Sequence, residues 1–119
     1  MKKIKLEKKF RTKWLKALTS GSYRQADGIL VDVKKSKNNY CCLGVACRMI
    51  NIPVKDMDTK EMPSELLPKE KKQLPAAFFA NSFARNKDSK FAKDLAKKND
   101  AGDSFKKIAK YIEKTTVGV

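Results

Sequence analysis

The stretch CLGVACRMI, residues 42–50, is apolar at almost every position. A helix of this composition has no polar face for solvent, so the stretch predicts a central helix that is buried nearly all round. Gly44 lies inside it, where glycine costs a helix about 1 kcal/mol relative to alanine. We therefore expect another segment of backbone to pack closely against Gly44.

A β-hairpin is predicted immediately before this helix. Its two short segments are GILVDV, residues 28–33, and NNYCCL, residues 38–43, and the polar connection between them contains KKSK. Short runs of this kind on either side of a polar turn are typical of two paired strands.

The first 20 residues predict an amphipathic helix. At about 100° per residue, one arc carries apolar side chains and another carries a stripe of lysines. The apolar arc holds Leu6, Phe10, Trp14, Ala17 and Leu18, and the lysine stripe consists of Lys2, Lys5, Lys9, Lys13 and Lys16. The stripe fits contact with phosphate groups, an acidic surface or an anionic membrane, and it also fits a solvated helix face. We expect Trp14 to pack in the core and Gly21 to end the helix.

A loop and then a helix are predicted for the middle of the chain. All four prolines lie in residues 51–75, and proline disfavours helical geometry in the residue before it. We expect a long surface loop there, with one short turn after Pro68. Pro75 suits the first turn of a helix, which we expect to run to about Arg85 and to bury Phe79 and Phe83.

Two further helices are predicted in the last third of the chain. Asp88 is the expected N-cap of the first, which turns Phe91, Ala92 and Leu95 inward and ends near Asn99. Asp103 or Ser104 caps the last helix, whose apolar positions i, i+3, i+4 and i+7 are Phe105, Ile108, Ala109 and Ile112. The sequence therefore predicts an α+β fold: a mostly helical single domain over residues 1–119, with four to five helices and a small β-hairpin.

The charge balance of the chain is strongly positive. There are 28 Lys and Arg residues against 13 Asp and Glu residues, which gives a formal net charge of +15 at pH 7. This charge attracts polyanions, and phosphate groups are the commonest of these inside cells. Only four of the basic residues are arginines, so sequence-specific recognition of a duplex is poorly supported. In the alternative interpretation, the lysines only keep the surface solvated.

Histidine is absent from the sequence. This absence excludes Ser-His-Asp triads, Cys-His dyads and imidazole metal sites. We expect a protein that is not an enzyme and has no catalytic residues, no cofactor and no metal.

The sequence also predicts where the protein resides. No stretch approaches the roughly 20 apolar residues of a membrane-spanning helix. Basic residues interrupt the first 20 positions, so we expect no secretory signal and a cytoplasmic location. Three cysteines, two of them adjacent, fit free thiols in a reducing compartment.

Tyr23, Arg24 and Gln25 form the first candidate ligand site. On an extended backbone Tyr23 and Gln25 would share one face, because side chains alternate along a strand. A base could stack on Tyr23 while Gln25 binds its edge and Arg24 holds phosphate. In the alternative interpretation, Tyr23 covers the edge of the core and Gln25 satisfies backbone groups of a loop.

Cys41 and Cys42 are the candidate nucleophiles. They lie where the hairpin enters the central helix, and a helix N-terminus favours the thiolate. However, no histidine can act as their base, and free cysteine is among the most buried residue types, so we favour core thiols. A zinc site that included Cys47 would lack a fourth ligand.

The turn at residues 99–104 offers two weaker candidate sites. The start of the last helix could hold an anion, but Asp100 and Asp103 would repel it, so capping is the better interpretation. The same two carboxylates could hold a divalent cation together with Asn99, which two carboxylates in one turn support only weakly.

Three motifs occur in order along the chain: WLKALTSGSYRQ (14–25), YCCLGVAC (40–47) and NDAGDSFKKIAKYIE (99–113). Together they resemble a group of small proteins encoded in tailed-phage and prophage genomes, which combine W..AL.SG.Y.Q, CCLGV and ND.G.SF..IA..IE. The resemblance implies a viral source and the cytoplasm of an infected bacterium. Small non-structural phage proteins often inhibit host machinery or immunity by tight binding, so the resemblance favours a binding protein.

We therefore expect a non-enzymatic phage accessory protein that binds a phosphate-rich or acidic partner through the lysine stripe and Tyr23, Arg24 and Gln25. The expected partner is a nucleotide signal, a nucleic acid, or a nucleic-acid-binding complex of host defence. Two alternatives stay open: a small enzyme with a cysteine nucleophile, and a soluble protein-interaction or structural module.

Overall fold

A computed structural model describes residues 2–34, 37–81 and 83–119 of the chain. This part of the chain has an α+β fold with six α-helices, four of which contain eight or more residues, as predicted. The helices are α1 (Lys8–Thr19), α2 (Cys42–Met49), α3 (Val54–Met57), α4 (Pro68–Lys71), α5 (Lys90–Asp100) and α6 (Phe105–Thr115). The strands are β1 (Ile4–Leu6), β2 (Arg24–Gln25), β3 (Val31–Asp32), β4 (Asn39–Tyr40) and β5 (Thr116–Gly118).

The central helix α2 is buried as predicted. All its residues except Arg48 are buried. A Cβ atom at position 44 would overlap the carbonyl group of Leu30, so the predicted close approach of another backbone is confirmed. Glycine is needed here because any side chain would push α2 away from the segment before β3.

An aromatic cluster joins the long helices around Trp14. The Trp14 ring is fully buried, as predicted, and its Nε1–H donates to the carbonyl oxygen of Cys42 at 3.0 Å. The rings of Phe10, Phe78 and Phe91 lie with their centroids 5.8, 5.3 and 6.4 Å from it. The hydrogen bond to Cys42 fixes α1 against α2, and the Phe91 contact fixes it against α5. Phe10 lies on α1 itself, and Phe78 joins the cluster from the 3-10 turn Ala76–Phe78.

The predicted helix over the first 20 residues is wrong in its first turns. Ile4–Leu6 is strand β1, which pairs in parallel with β5 at the other end of the chain. Because β5 supplies the backbone hydrogen bonds of this segment, α1 begins only at Lys8. Lys2 and Lys5 therefore lie outside the helix. Gly21 has a φ of 78° and follows the end of α1, as predicted.

The predicted β-hairpin is confirmed, although its strands are shorter than expected. Val31 lies opposite Tyr40 in the antiparallel pair of β3 and β4. A third strand, β2, pairs in parallel with β4 and places Gln25 opposite Tyr40. In the predicted KKSK connection, Lys35 and Ser36 lie outside the described residues.

Residues 51–75 have more structure than the predicted loop. They contain α3, a 3-10 turn at Pro63–Glu65, and α4, which starts at Pro68 as expected. Pro63 and Pro68 each begin their element, because the fixed φ of proline suits the first helical position. The prolines therefore start short helical turns as well as separating them.

The predicted helix from Pro75 to Arg85 is wrong. Ala76–Phe78 forms a 3-10 turn, after which Phe79 becomes extended and pairs with Asp88 in an antiparallel bridge. This bridge turns the chain back on itself and ends the helical geometry. As a result Phe78 and Phe79 are buried, whereas the Phe83 side chain is fully exposed.

The two last helices are confirmed, with changes at their ends. Ser89 caps α5, since its hydroxyl accepts from the Ala92 N–H, while the predicted cap Asp88 accepts hydrogen bonds from the backbone and hydroxyl of Ser64. Ser104 caps α6 as predicted. α5 ends at Asp100, one residue beyond the predicted Asn99, whose side chain is fully buried. No helix in the described part of the chain is long and apolar enough to cross a membrane.

Candidate functional site: a basic cleft

An open cleft of about 1060 Å³ lies beside the C-terminal ends of α1 and α2. We call it the basic cleft, because five cationic side chains line it and none of the described residues along it is Asp or Glu. The five cations are Lys13, Lys16, Arg24, Lys37 and Arg48. Charges of one sign without internal counterions attract an anionic ligand.

The fold brings these cations together from four segments. Lys13 and Lys16 lie about one turn apart on α1. Arg24 is in β2 and Lys37 just precedes β4, so the parallel pairing of β2 with β4 places them near each other. Arg48 comes from the last turn of α2, where its guanidinium donates to the Ile52 carbonyl at 3.3 Å.

Two of the cations also stabilise the helices that end at the cleft. The C-terminal end of a helix carries a partial negative charge, which a cation in the last turn offsets. Lys16 and Arg48 occupy such positions in α1 and α2. Lys13, Arg24 and Lys37 are exposed and lie outside the last turns of these helices, so their charges are the part of the cleft least tied to helix stability.

Tyr23 gives the basic cleft an aromatic wall. Its ring packs edge to face with buried Tyr40, the two centroids 5.5 Å apart with an interplanar angle of 80°. Tyr23 is half-buried, and both rings line the cleft beside Met49. Tyr23 thus covers the edge of the core, as the alternative interpretation expected, while part of its ring faces the space where a ligand would lie.

Gln25 does not line the basic cleft with Tyr23. Its side-chain amide donates to the Asn99 Oδ1 atom at 2.9 Å and to the Asp103 carbonyl at 2.7 Å. The alternative interpretation, in which Gln25 satisfies backbone groups of a loop, is confirmed for the Asp103 carbonyl. The predicted arrangement, with Tyr23 and Gln25 on one ligand, is not the one observed.

The lysine stripe is divided among different surfaces. Lys13 and Lys16 line the basic cleft, whereas Lys9 is an exposed residue earlier on α1. Lys5 lines a separate depression near Pro75, and Lys2 is exposed ahead of β1. The expected five-lysine surface is therefore replaced by two lysines joined by cations from other segments.

Lys37 and Arg48 are cleft residues that the sequence reasoning missed. Arg48 had a signal, because it is the one charged residue in the apolar stretch 42–50 and needs a polar exit from the core. Lys37 had none, since it joins the cleft only through the pairing of β2 with β4.

The three cysteines are buried free thiols. Burial raises the pKa of Cys41 to about 11, and the hydrogen bond from the Gly44 N–H to its sulfur lowers it less than burial raises it. Burial also raises the pKa of Cys42 and of Cys47 well above the ordinary value. The expected lowering of a thiol pKa at the start of α2 is thus outweighed by desolvation, and these groups are core thiols.

The acidic turn between α5 and α6 is occupied by structural contacts. The Asp100 carboxylate accepts from the Gly28 N–H at 2.7 Å, and Asp103 lies 3.5 Å from the Lys107 ammonium. The Asn99 amide is bound to protein groups. Within residues 2–34, 37–81 and 83–119, no three His, Cys, Asp or Glu side chains form a group that could hold a metal ion.

The fold and the cleft define a small α+β domain that gathers cations around an aromatic wall. The sequence model of a family described as Domain of unknown function (DUF8296) matches residues 6–116, so the chain belongs to this family. No curated protein and no solved structure matches the chain.

Proposed function

We propose that this protein holds a phosphate-rich or acidic ligand in the basic cleft and does not transform it chemically. The observation that carries the proposal is the convergence of five cations from four segments on one open surface, with no carboxylate among the described residues that line it. Like charges repel one another in the free protein, so a bound polyanion would remove an unfavourable interaction as well as add favourable ones.

The state of the thiols supports binding over catalysis. A cysteine nucleophile acts as the thiolate, and a thiol with a pKa of about 11 is almost entirely protonated at neutral pH. Cys41 and Cys42 are also buried in the core and do not line the basic cleft.

The resemblance to phage-encoded proteins supports a role in infection. A protein that binds phosphate-rich ligands could sequester a nucleotide signal, cover a nucleic acid, or occupy the nucleic-acid-binding surface of a host defence complex. In each case the protein acts as an inhibitor through occupancy alone, in the cytoplasm of the infected bacterium.

A charge-matched pair of variants tests the proposal. The cleft variant K13A/R24A/K37A removes the three cations that lie outside the last turns of α1 and α2. The control variant K87A/K93A/K106A removes three exposed lysines elsewhere, so both variants have the same net charge. The probe is long-chain inorganic polyphosphate, with affinity measured by isothermal titration calorimetry at several salt concentrations.

We expect the cleft variant to bind polyphosphate about tenfold more weakly or worse, and its log–log salt dependence to be shallower by about two units, because each contact to a flexible polyanion contributes roughly 0.7. The control variant should keep most of the wild-type affinity. Equal losses in the two variants would show that net charge alone attracts the ligand, and the cleft would then have no special role.

A second candidate function, a protein-interaction module, is favoured by Phe83. Its side chain is fully exposed, while the backbone N–H groups of Phe83 and Ala84 donate to the Asn81 Oδ1 atom. A fully exposed aromatic residue suits an apolar pocket on another protein. A host protein that is retained in high salt by the wild type and lost with F83S would support this function, and equal retention would count against it.

A further inference from the structure

We propose that the ligand of the basic cleft is a single-stranded nucleic acid, with its phosphates along the cations and an unpaired base against the Tyr23 ring. This inference rests on the proposed function, because it requires that the cleft binds an anion. It adds the class of polymer and the residue that distinguishes it from other polyanions.

The dimensions of the cleft favour a polymer over a free nucleotide. Pockets for small molecules usually enclose about 300–1,000 Å³ and bury most of the ligand surface. The basic cleft reaches about 1060 Å³ and is open to solvent, so a single nucleotide would leave most of it unfilled. A strand that enters and leaves the cleft makes use of the open shape.

The distribution of charge favours a chain of phosphates. Lys13 and Lys16 approach from α1, whereas Arg24 and Lys37 approach from the strands. Cations on separate segments can pair with successive phosphates, while one phosphate group would leave several of them without a partner. Three of the five are lysines, which act as point charges and suit contact with a backbone regardless of sequence.

The aromatic wall favours unpaired bases. A base in a duplex has its faces covered by its neighbours, whereas a base in a single strand can stack on an aromatic ring. Tyr23 and Arg24 both line the cleft, so a base on the ring would have its phosphate within the same space as that guanidinium. Edge-to-face packing on Tyr40 holds the Tyr23 ring in place before the ligand arrives.

The decisive experiment compares ligands that have the same phosphates but differ in their bases. The probes are a fluorescent oligodeoxythymidine of about 12 nucleotides, which lies within the usual site size of one binding domain, an abasic strand of equal length, and the matching duplex. Affinities are measured by fluorescence anisotropy at one salt concentration. Wild-type protein suffices for this comparison, so it does not depend on whether any variant folds.

We expect the oligodeoxythymidine to bind about fivefold or more tightly than the abasic strand, since stacking of one base on an aromatic ring contributes at least about this factor. The Y23F variant, which keeps the ring, should retain the preference. The Y23L variant, which keeps apolar bulk over the core edge, should lose it. Equal binding of the oligodeoxythymidine and the abasic strand, an unchanged preference in Y23L, or equal binding of the duplex would each overturn the inference.

The same measurements separate failure of this inference from failure of the proposed function. If the abasic strand and the oligodeoxythymidine bind equally and K13A/R24A/K37A weakens both, the cleft binds anions but does not recognise bases. If that variant binds both strands as tightly as the wild type does, the cleft is not the anion site and both proposals fail.

Discussion

Arg24 and Gln25 are neighbours in β2 but belong to regions that use polar groups in opposite ways. Arg24 lines the basic cleft, where the charged side chains share one sign. Gln25 belongs to what we call the Asn99 cluster, formed by the side chains of Gln25 and Asn99 with the backbone of Ala26, Cys42 and Asp103.

In the Asn99 cluster each polar atom of the central amide has a protein partner. The Asn99 Oδ1 atom accepts from the Cys42 N–H at 3.1 Å and from Gln25, and its Nδ2 donates to the Ala26 carbonyl at 2.6 Å. A buried polar group is stable only when its hydrogen bonds are made, so this cluster holds the fold together. The contrast teaches that polar groups which hydrogen-bond to one another stabilise the fold. Cations that have no carboxylate beside them are the ones with charge left to attract a ligand.

The largest expected effect comes from breaking the Asn99 cluster. N99A removes three hydrogen bonds and leaves the N-terminal N–H of α2 without its side-chain acceptor in the interior, so we expect a loss of about 4 kcal/mol in the free energy of unfolding. Urea denaturation measures it. The exposed substitution N86A is the control and should change the unfolding free energy by no more than about 0.5 kcal/mol. A similar small change in N99A would show that the cluster does not hold the fold together.

The packing of α2 against Leu30 gives the next largest effect. In an open helix, G44A would stabilise the protein by about 1 kcal/mol through helix propensity. Here the added methyl group meets the Leu30 carbonyl, and a backbone atom cannot move aside without shifting its segment. We expect a net loss of about 3 kcal/mol in urea denaturation, the upper range for overpacking. Any gain in the stability of G44A would contradict the close approach of α2 to the Leu30 backbone.

The adjacent pair Gln25 and Arg24 tests the comparison directly. Q25A removes two hydrogen bonds from the Asn99 cluster and should lower the unfolding free energy by about 2 kcal/mol while the affinity for polyphosphate is unchanged. R24A should do the reverse, weakening polyphosphate binding several-fold with a stability change below about 0.5 kcal/mol. Denaturation measures the unfolding free energy of both variants, and calorimetry measures their affinity for polyphosphate. If both variants lost affinity and stability together, the two regions would not be separable.

Local patterns predicted the elements whose stability is local or comes from a continuous apolar face. The i, i+3, i+4, i+7 spacing from Phe105 gave α6, and the uniformly apolar stretch 42–50 gave both α2 and the close approach at Gly44. Local patterns could not predict elements that depend on contacts with residues far away in the sequence. Strand β1 exists because β5 pairs with it, and the helix predicted after Pro75 is replaced by a bridge between Phe79 and Asp88.

The same limit explains which parts of the candidate site could be predicted. Tyr23, Arg24, Lys13 and Lys16 were identified because their residue types suit an anionic ligand and they lie close in sequence. Gln25 was named only as a candidate, with contacts to loop backbone as the alternative, because its partner Asn99 is distant in sequence and could be identified only from the tertiary structure. A polar residue type therefore predicts that a side chain will find a hydrogen-bond partner, but the tertiary structure is needed to show whether another protein group is that partner.

The smallest expected effect concerns a buried carboxyl group that lacks the full set of hydrogen-bond partners found at Asn99. Glu70 is only 2% exposed, and its Oε1 accepts from the Leu67 N–H at 3.3 Å. Its Oε2 atom has no hydrogen-bond partner within the described residues. Burial, and then the neighbouring Asp56 carboxyl, raise the pKa of Glu70 above its ordinary value of 4.5, against smaller opposing effects of the hydrogen bond from the Leu67 N–H and of Lys69.

Because this pKa is raised on folding, the folded protein holds the proton more tightly than the unfolded chain does. The resulting stability is present below pH 4.5 and is lost as the pH rises through the pKa of the folded state.

E70Q cannot ionise, keeps an oxygen for the Leu67 N–H, and offers an N–H to Asp56. We therefore expect E70Q to be more stable than the wild type by about 1 kcal/mol at neutral pH, since it replaces an unpaired buried acceptor. Denaturation curves between pH 4 and 8 should show this advantage shrinking towards the acid end, whereas the exposed substitution E61Q should show no such trend. If the advantage of E70Q instead grew on acidification, Glu70 would be stabilised as the carboxylate. Its oxygen atoms would then have favourable partners in the interior, as the Asn99 amide does.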